Sequence, residues 1–140
     1  MGQMRFLILA VLLLSSCAKE EPGPPGIPAG TFAARDRDGL CISGLAGAQR
    51  AGFVVYGPGD TNCSASGRVE GSHGNWKLIP EGEGDCNIPL KVEGGTIALA
   101  RGAPSCAYYC APGVTFEGKS FQRVEWNSRQ VTDLAGDLLC

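Results

Sequence analysis

Six cysteines, Cys41, Cys63, Cys86, Cys106, Cys110 and Cys140, fall in the last part of this 140-residue chain, and a seventh, Cys17, stands apart near its start. An even set in a short exported chain is a disulfide framework, and few other features restrict the accessible folds as strongly. Six cysteines allow 15 pairings, so the spacing leaves the connectivity open. Each bridge is worth roughly 2–4 kcal/mol, a large share of the stability of a small domain. This chain needs the help, because its 21 glycines raise the entropy cost of ordering it and its 9 prolines remove backbone hydrogen-bond donors.

The framework argument requires export, and the N-terminus supplies it. Arg5 and the chain amine make a small positive region, and "FLILAVLLL" runs without a break from Phe6 to Leu14. That is the core of a signal peptide. It gives way to Ser15, Ser16, Cys17 and the charged Lys19, Glu20 and Glu21, well short of the roughly 20 apolar residues that span a bilayer.

Leu14-Ser15-Ser16-Cys17 resembles the lipobox of bacterial lipoproteins. The resemblance implies removal of residues 1–16, a diacylglycerol on the Cys17 thiol and an acyl chain on the new amine. It also explains the odd count, since lipid rather than sulfur becomes the partner of Cys17. Several acyl chains on one residue meet the requirement for stable anchoring to a membrane. Ala18 stands where an Asp would favour retention at the inner membrane, so the expected location is the periplasmic face of the outer membrane. No other cofactor is implied.

Residues 17–30 then form a lipidated tether. "AKEEPGPPGIPAG" is polar, then rich in Pro and Gly, with nothing periodic to bury. Residues 31–140 form a single disulfide-stapled β domain, too short for two independent cores. The formal net charge is −2 and no basic run occurs, which argues against a nucleic-acid partner.

Within that domain, short alternating or apolar segments are separated by Gly, Asp, Asn and Pro clusters, the pattern of an antiparallel sheet. Strands are expected at 31–35, 40–43, 51–56, 64–70, 75–80, 85–92, 96–101 and 119–126. In the clearest of them Cys86, Ile88, Leu90 and Val92 share one face, with Asn87, Pro89 and Lys91 on the other. The short connections "EGEGD" and "EGG" make residues 75–101 a three-stranded meander. The fold class is therefore all-β, a small antiparallel meander or barrel-like sheet. Pro89 has no N–H and favours an edge, which suggests an open seam where a partner strand could add. "VTDLAGDLL" is expected to form a short C-terminal helix or turn packed by Leu134, Leu138 and Leu139, with Cys140 pinning the tail.

Few residues have the chemistry of a site. Cys106 and Cys110 are four apart and would share a helix face, but redox motifs use two intervening residues and a metal needs further ligands. Two cysteines bridging to different strands is the simpler account. His73, in "GSHGN", lacks a nucleophile and an orienting group, so it is a loop histidine or a binding contact rather than a base. Glu81, Glu83 and Asp85 do not follow a calcium-loop order and form a solvated hairpin tip. Tyr108 and Tyr109 cover the core or, where exposed, offer a binding surface. No catalytic set and no metal site emerges.

Gly74-Asn75-Trp76-Lys77-Leu78, followed by Cys86 and an alternating strand, resembles a pattern of the bacterial metalloprotease inhibitors, which form small eight-stranded barrels. That family has fewer cysteines and inserts a free N-terminus into the protease cleft, a terminus that acylation of Cys17 would block. Ser66-Gly67-Arg68 is similar to the Ser-Gly turn of the membrane-bound lysozyme inhibitors, without their accompanying Tyr. The overall texture also resembles small alphaproteobacterial lipoproteins that carry no assigned activity. These resemblances imply a binding module and not an enzyme. The expected role is inhibition of a hydrolase, a lysozyme or a protease, by residues 71–75 or by the Tyr108 and Tyr109 region. The alternative is a structural or assembly lipoprotein of the outer membrane that offers an open edge.

Overall fold

The computed structural model describes residues 26–82, 84–125 and 130–140. The signal peptide, Cys17, the first part of the tether, Glu83 and the Trp126 end of the last expected strand lie outside the described residues.

Eight antiparallel strands close a barrel in sequence order: β1 (Gly30–Ala33), β2 (Gly39–Ser43), β3 (Arg50–Tyr56), β4 (Asn62–Ser72), β5 (Asn75–Pro80), β6 (Ile88–Glu93), β7 (Thr96–Leu99) and β8 (Ser120–Arg123). All eight expected strands are present, with ends shifted by a few residues. Closure comes from β8 against β1, through Phe32↔Arg123 and Ala33↔Gln122.

The strands alternate as their sequences require. Ala51, Phe53 and Val55 of β3, Ile88 and Leu90 of β6, and Ile97 and Leu99 of β7 belong to one buried cluster. Large residues face small ones across the ladder, with Phe53 opposite Ala65 and Val55 opposite Cys63. An eight-stranded barrel is just wide enough for side chains to fill it, and Phe53, Ile88, Ile97 and Phe121 are completely buried. Meanwhile Arg68, Glu70, Lys77 and Lys91 are exposed on the wall, the reverse of a membrane-spanning barrel with its polar lumen and apolar exterior. With the interior packed, any candidate site lies on the outer surface.

The expected open seam at Pro89 does not exist. Pro89 pairs with Lys77 of β5, and its carbonyl accepts from the Ala100 N–H at 3.0 Å on the other side. Nitrogen and carbonyl of one strand residue point the same way, so the ring nitrogen faces the position just beyond the last β6–β7 pair, Leu90↔Leu99. The missing donor falls where β7 has already ended, and the ladder closes around it.

Three bridges hold the framework: Cys41 to Cys140, Cys63 to Cys110, and Cys86 to Cys106. The first lays residues 130–140 over the outer face of β2 and β3, where Val131 and Leu139 are buried with Cys41 and Val54. Two glycines make that approach possible: a Cβ at Gly52 would collide with the Leu139 carbonyl, and one at Gly39 would press on Val131. Burying two aliphatic side chains contributes about 1.5–3 kcal/mol each, against about 1–2 kcal/mol for fixing each residue's backbone. Burial and the bridge therefore act together on the tail.

No helix forms in this tail. Instead Thr132 and Leu138 pair in a bridge, and the Asp137 N–H donates to Asp133 Oδ1 at 2.9 Å. Gly136 takes a left-handed φ of 94°. The Asp and Gly turn chemistry of "TDLAGD" overrides the short helical pattern. Leu134 and Leu138, expected to pack, are exposed, whereas Leu139 is buried.

At the chain entry, Ile27 is buried although its neighbours have the composition of a tether. Gln49, itself buried, accepts from the Ile27 N–H at 2.9 Å and donates to the Ile27 carbonyl. One side-chain amide thus replaces a strand neighbour for a segment that has none.

Candidate functional site

The long β7–β8 connection, residues 100–119, is the most elaborate surface feature of the molecule. Its neck is closed by hydrogen bonds from Leu99 N to the Lys119 carbonyl and from Gly118 N to the Leu99 carbonyl, both 2.8 Å. Above the neck the chain passes Gly102, where a Cβ would press on Cys106 Sγ and the Asn87 carbonyl. Ala103 is extended, as a residue before proline prefers, and Pro104 opens a 3-10 helix, Pro104–Tyr109.

That helix decides what the two neighbouring cysteines do. A 3-10 helix turns three residues per turn, so positions four apart no longer share a face as they would on an α-helix. Cys106 turns inward to Cys86, while Cys110, already extended, bridges to Cys63 of β4. The Ala111 N–H donates to the Asn62 carbonyl at 2.9 Å beside that bridge. Phe116 then returns into the core edge-on to Phe53, with ring centroids 5.4 Å apart. The loop is braced at its neck, at both bridges and by a buried aromatic ring.

Two surfaces result. The first is aromatic: Tyr108 is 87% exposed, with its ring edge-on to Tyr109 at 5.2 Å. The Tyr109 hydroxyl donates to the Glu81 carbonyl at 3.1 Å. Tyr109 therefore braces the loop against the β5–β6 connection, and Tyr108 projects from the braced helix. The second is an apolar cleft of about 440 Å³ enclosed by this loop, walled by Ala103, Ala107, Cys110, Val114 and Phe116. Arg101 and Glu117 pair across its rim at 3.1 Å. An exposed pair of this kind contributes about 0–1 kcal/mol and yields easily to a ligand or partner.

His73 is elsewhere. With Gly74 it forms the two-residue β4–β5 turn, both in the left-handed region at φ of 53° and 84°. That is the type I′ geometry, and His is among the non-glycine residues that tolerate it. β5, six residues long, separates this turn from Glu81 and Tyr109, about 20 Å at 3.3 Å per residue. The structure places Tyr108 and Tyr109 together and keeps His73 apart from them.

Glu81 and Asp85 of the acidic run are both exposed. Glu81 pairs with Arg50 at 2.6 Å, and the Asp85 carbonyl accepts from the Asn87 amide. Among the described residues no three His, Cys, Asp or Glu side chains converge as metal ligands would.

A smaller cleft of about 140 Å³ lies where residues 130–132 meet β2 and β3. Arg37 stacks over the Tyr56 ring at 3.9 Å and pairs with Asp60 at 2.8 Å. The Asp60 hydrogen bond raises the Arg37 pKa above its usual value.

The sequence pointed to Tyr108 and Tyr109 but not to the cleft beside them. Its signal is present in "RGAPSCAYYCAPGVTFEG", where Gly, Ala and Pro fill the positions around two cysteines. Small residues on a cross-linked loop leave space that larger ones would fill. No protein-family model, no curated protein and no solved structure matches the chain.

Proposed function

We propose that this chain is a lipid-anchored binding protein on the periplasmic face of the outer membrane, and that it inhibits an envelope or secreted hydrolase, a lysozyme or a protease, through residues 100–119. The observation that carries the reading is Tyr108, 87% exposed on a helix that two disulfides hold in place. Aromatic anchors dominate binding energy at interfaces. A loop ordered before it meets its target avoids the entropy cost that a mobile one incurs on binding. The neighbouring apolar cleft is the receptor for a side chain of the target.

Lipidation of Cys17 draws support from the pairing, since the other six cysteines satisfy one another and leave no sulfur for a seventh. The assembly alternative loses its mechanism, because the closed barrel has no free edge at Pro89. Insertion of an N-terminus, the device of the metalloprotease inhibitors, is not needed for the loop to act. No cofactor beyond the covalent lipid takes part, and the protein performs no catalysis.

The test is a titration of the purified full chain against lysozymes and secreted proteases. Inhibition at about micromolar concentration, weakened roughly 30-fold by Tyr108→Ala and unaffected by His73→Ala, is expected from a single aromatic anchor. No inhibition of any hydrolase, together with crosslinking of the protein in cells to a non-enzymatic envelope component, would establish the assembly alternative.

A further inference from the structure

The three disulfides differ in what surrounds them. Cys86 and Cys106 are buried, at 7% and 2% exposure, and Cys63 is completely buried beside a partly buried Cys110. Cys140 is exposed at the chain's end, while its partner Cys41 is 7% exposed beneath the tail. Thiol-disulfide exchange requires a nucleophile to reach a sulfur. The three bridges also differ in what would have to move. The Cys63 and Cys86 bridges fasten a loop that places Cys106 and Phe116 in the main core. By contrast, among the described residues the backbone hydrogen bonds of residues 130–140 close within the segment, from Asp133 to Asp137 and from Leu139 to Val131.

We propose that the Cys41 to Cys140 bridge is a thiol-exchange site, opened by a dithiol reductant while the other two bridges stay closed, and that its opening releases residues 130–140 from the barrel. A thiolate of the reductant attacks Cys140 Sγ. The bond to Cys41 breaks, and Cys41 leaves with the electron pair and takes up a proton. The reductant's second thiol attacks the mixed disulfide and frees Cys140, which takes up a proton in turn. Two electrons pass to the protein, and the reductant ends as a disulfide. Release of the tail uncovers Cys41 and Val54 on β2 and β3, together with Val131 and Leu139 of the tail itself. The natural reductant is thus a dithiol oxidoreductase of the compartment that holds the protein.

Graded dithiothreitol applied to the purified full chain, followed by alkylation and peptide mass spectrometry, tests the site. Cys41 and Cys140 are expected to be labelled together at a reductant concentration about tenfold below that needed for the other four. Amide hydrogen exchange in residues 130–140 should rise at the same step, with the barrel strands still protected. A Cys140→Ser variant should show that exchange pattern without reductant. Simultaneous labelling of all six cysteines, or earlier labelling of Cys63 and Cys110, overturns the proposal. So does reduction of the bridge that leaves the tail amides protected. The wild-type titration needs no variant to fold, so it decides the matter by itself.

Discussion

Gln49 shows how much one side chain carries here. It is buried, and its amide group satisfies both backbone groups of Ile27 in a segment without a strand neighbour. Gln49→Ala leaves an N–H and a carbonyl unpaired in the interior, each costing about 1–3 kcal/mol. The expected loss is about 2–6 kcal/mol of unfolding free energy, read from the shift in urea midpoint. Gln49→Glu keeps the acceptor, loses the donor and buries a charge, so it should be at least as damaging. None of this was legible beforehand, because "GAQR" is a polar loop and "GIPAG" is linker-like in composition. The contact joins residues 22 apart in sequence, and no local pattern encodes it. His73 is the opposite case: "SHGN" between two alternating runs indicated a hairpin loop, and the two left-handed residues are its turn.

At the scale of elements, the strands were legible wherever one face is wet and one dry. β6 is the clearest example, because Ile88 and Leu90 alternate with Pro89 and Lys91 on a half-exposed wall. β3, "RAGFVVY", hid its second role. Its inward residues are Ala51, Phe53 and Val55, but Gly52 and Val54 are also covered, by the tail. A strand buried on both faces has no alternation to show which residues face which neighbour. The tail pattern misled for a related reason: Leu134, Leu138 and Leu139 suggested a packed helix, but a single bridge at Cys140 fixes the segment and leaves the first two leucines in solvent. Cys63 and Cys110, separated by 47 residues, tie the loop to β4. Replacing both with alanine should cost about 4 kcal/mol on the chain-entropy account. Differential scanning calorimetry of the double variant measures that loss. Tyr108→Ala, by contrast, removes an exposed ring and should change stability by no more than about 0.5 kcal/mol. The two variants thus separate the loop's support from its contact surface.

For the whole molecule, the barrel, the loop and the tail form a division of labour. The interior is packed with side chains, which leaves the outer surface for the proposed recognition. Two bridges order residues 100–119 at one place on that surface, and the third fastens the tail across the outside of β2 and β3. Sequence alone reached the cysteine framework and the barrel-like sheet, because both follow from counts and local periodicity. It could not reach the connectivity, since pairing depends on which distant strands closure brings together. Pro89 suggested an edge for the same reason: its missing donor falls opposite Ala100, one position past the last β6–β7 pair, where it removes a hydrogen bond at the end of the ladder and opens no seam.

The central claim is that six cysteines brace a closed barrel in three defined pairs while the seventh is reserved for lipid. Non-reducing peptide mapping of the protein purified from membranes tests it most directly. The account predicts Cys41 joined to Cys140, Cys63 to Cys110 and Cys86 to Cys106, with Cys17 recovered as an acylated N-terminal residue. A bridge that includes Cys17, or any other pairing among the six, would contradict it.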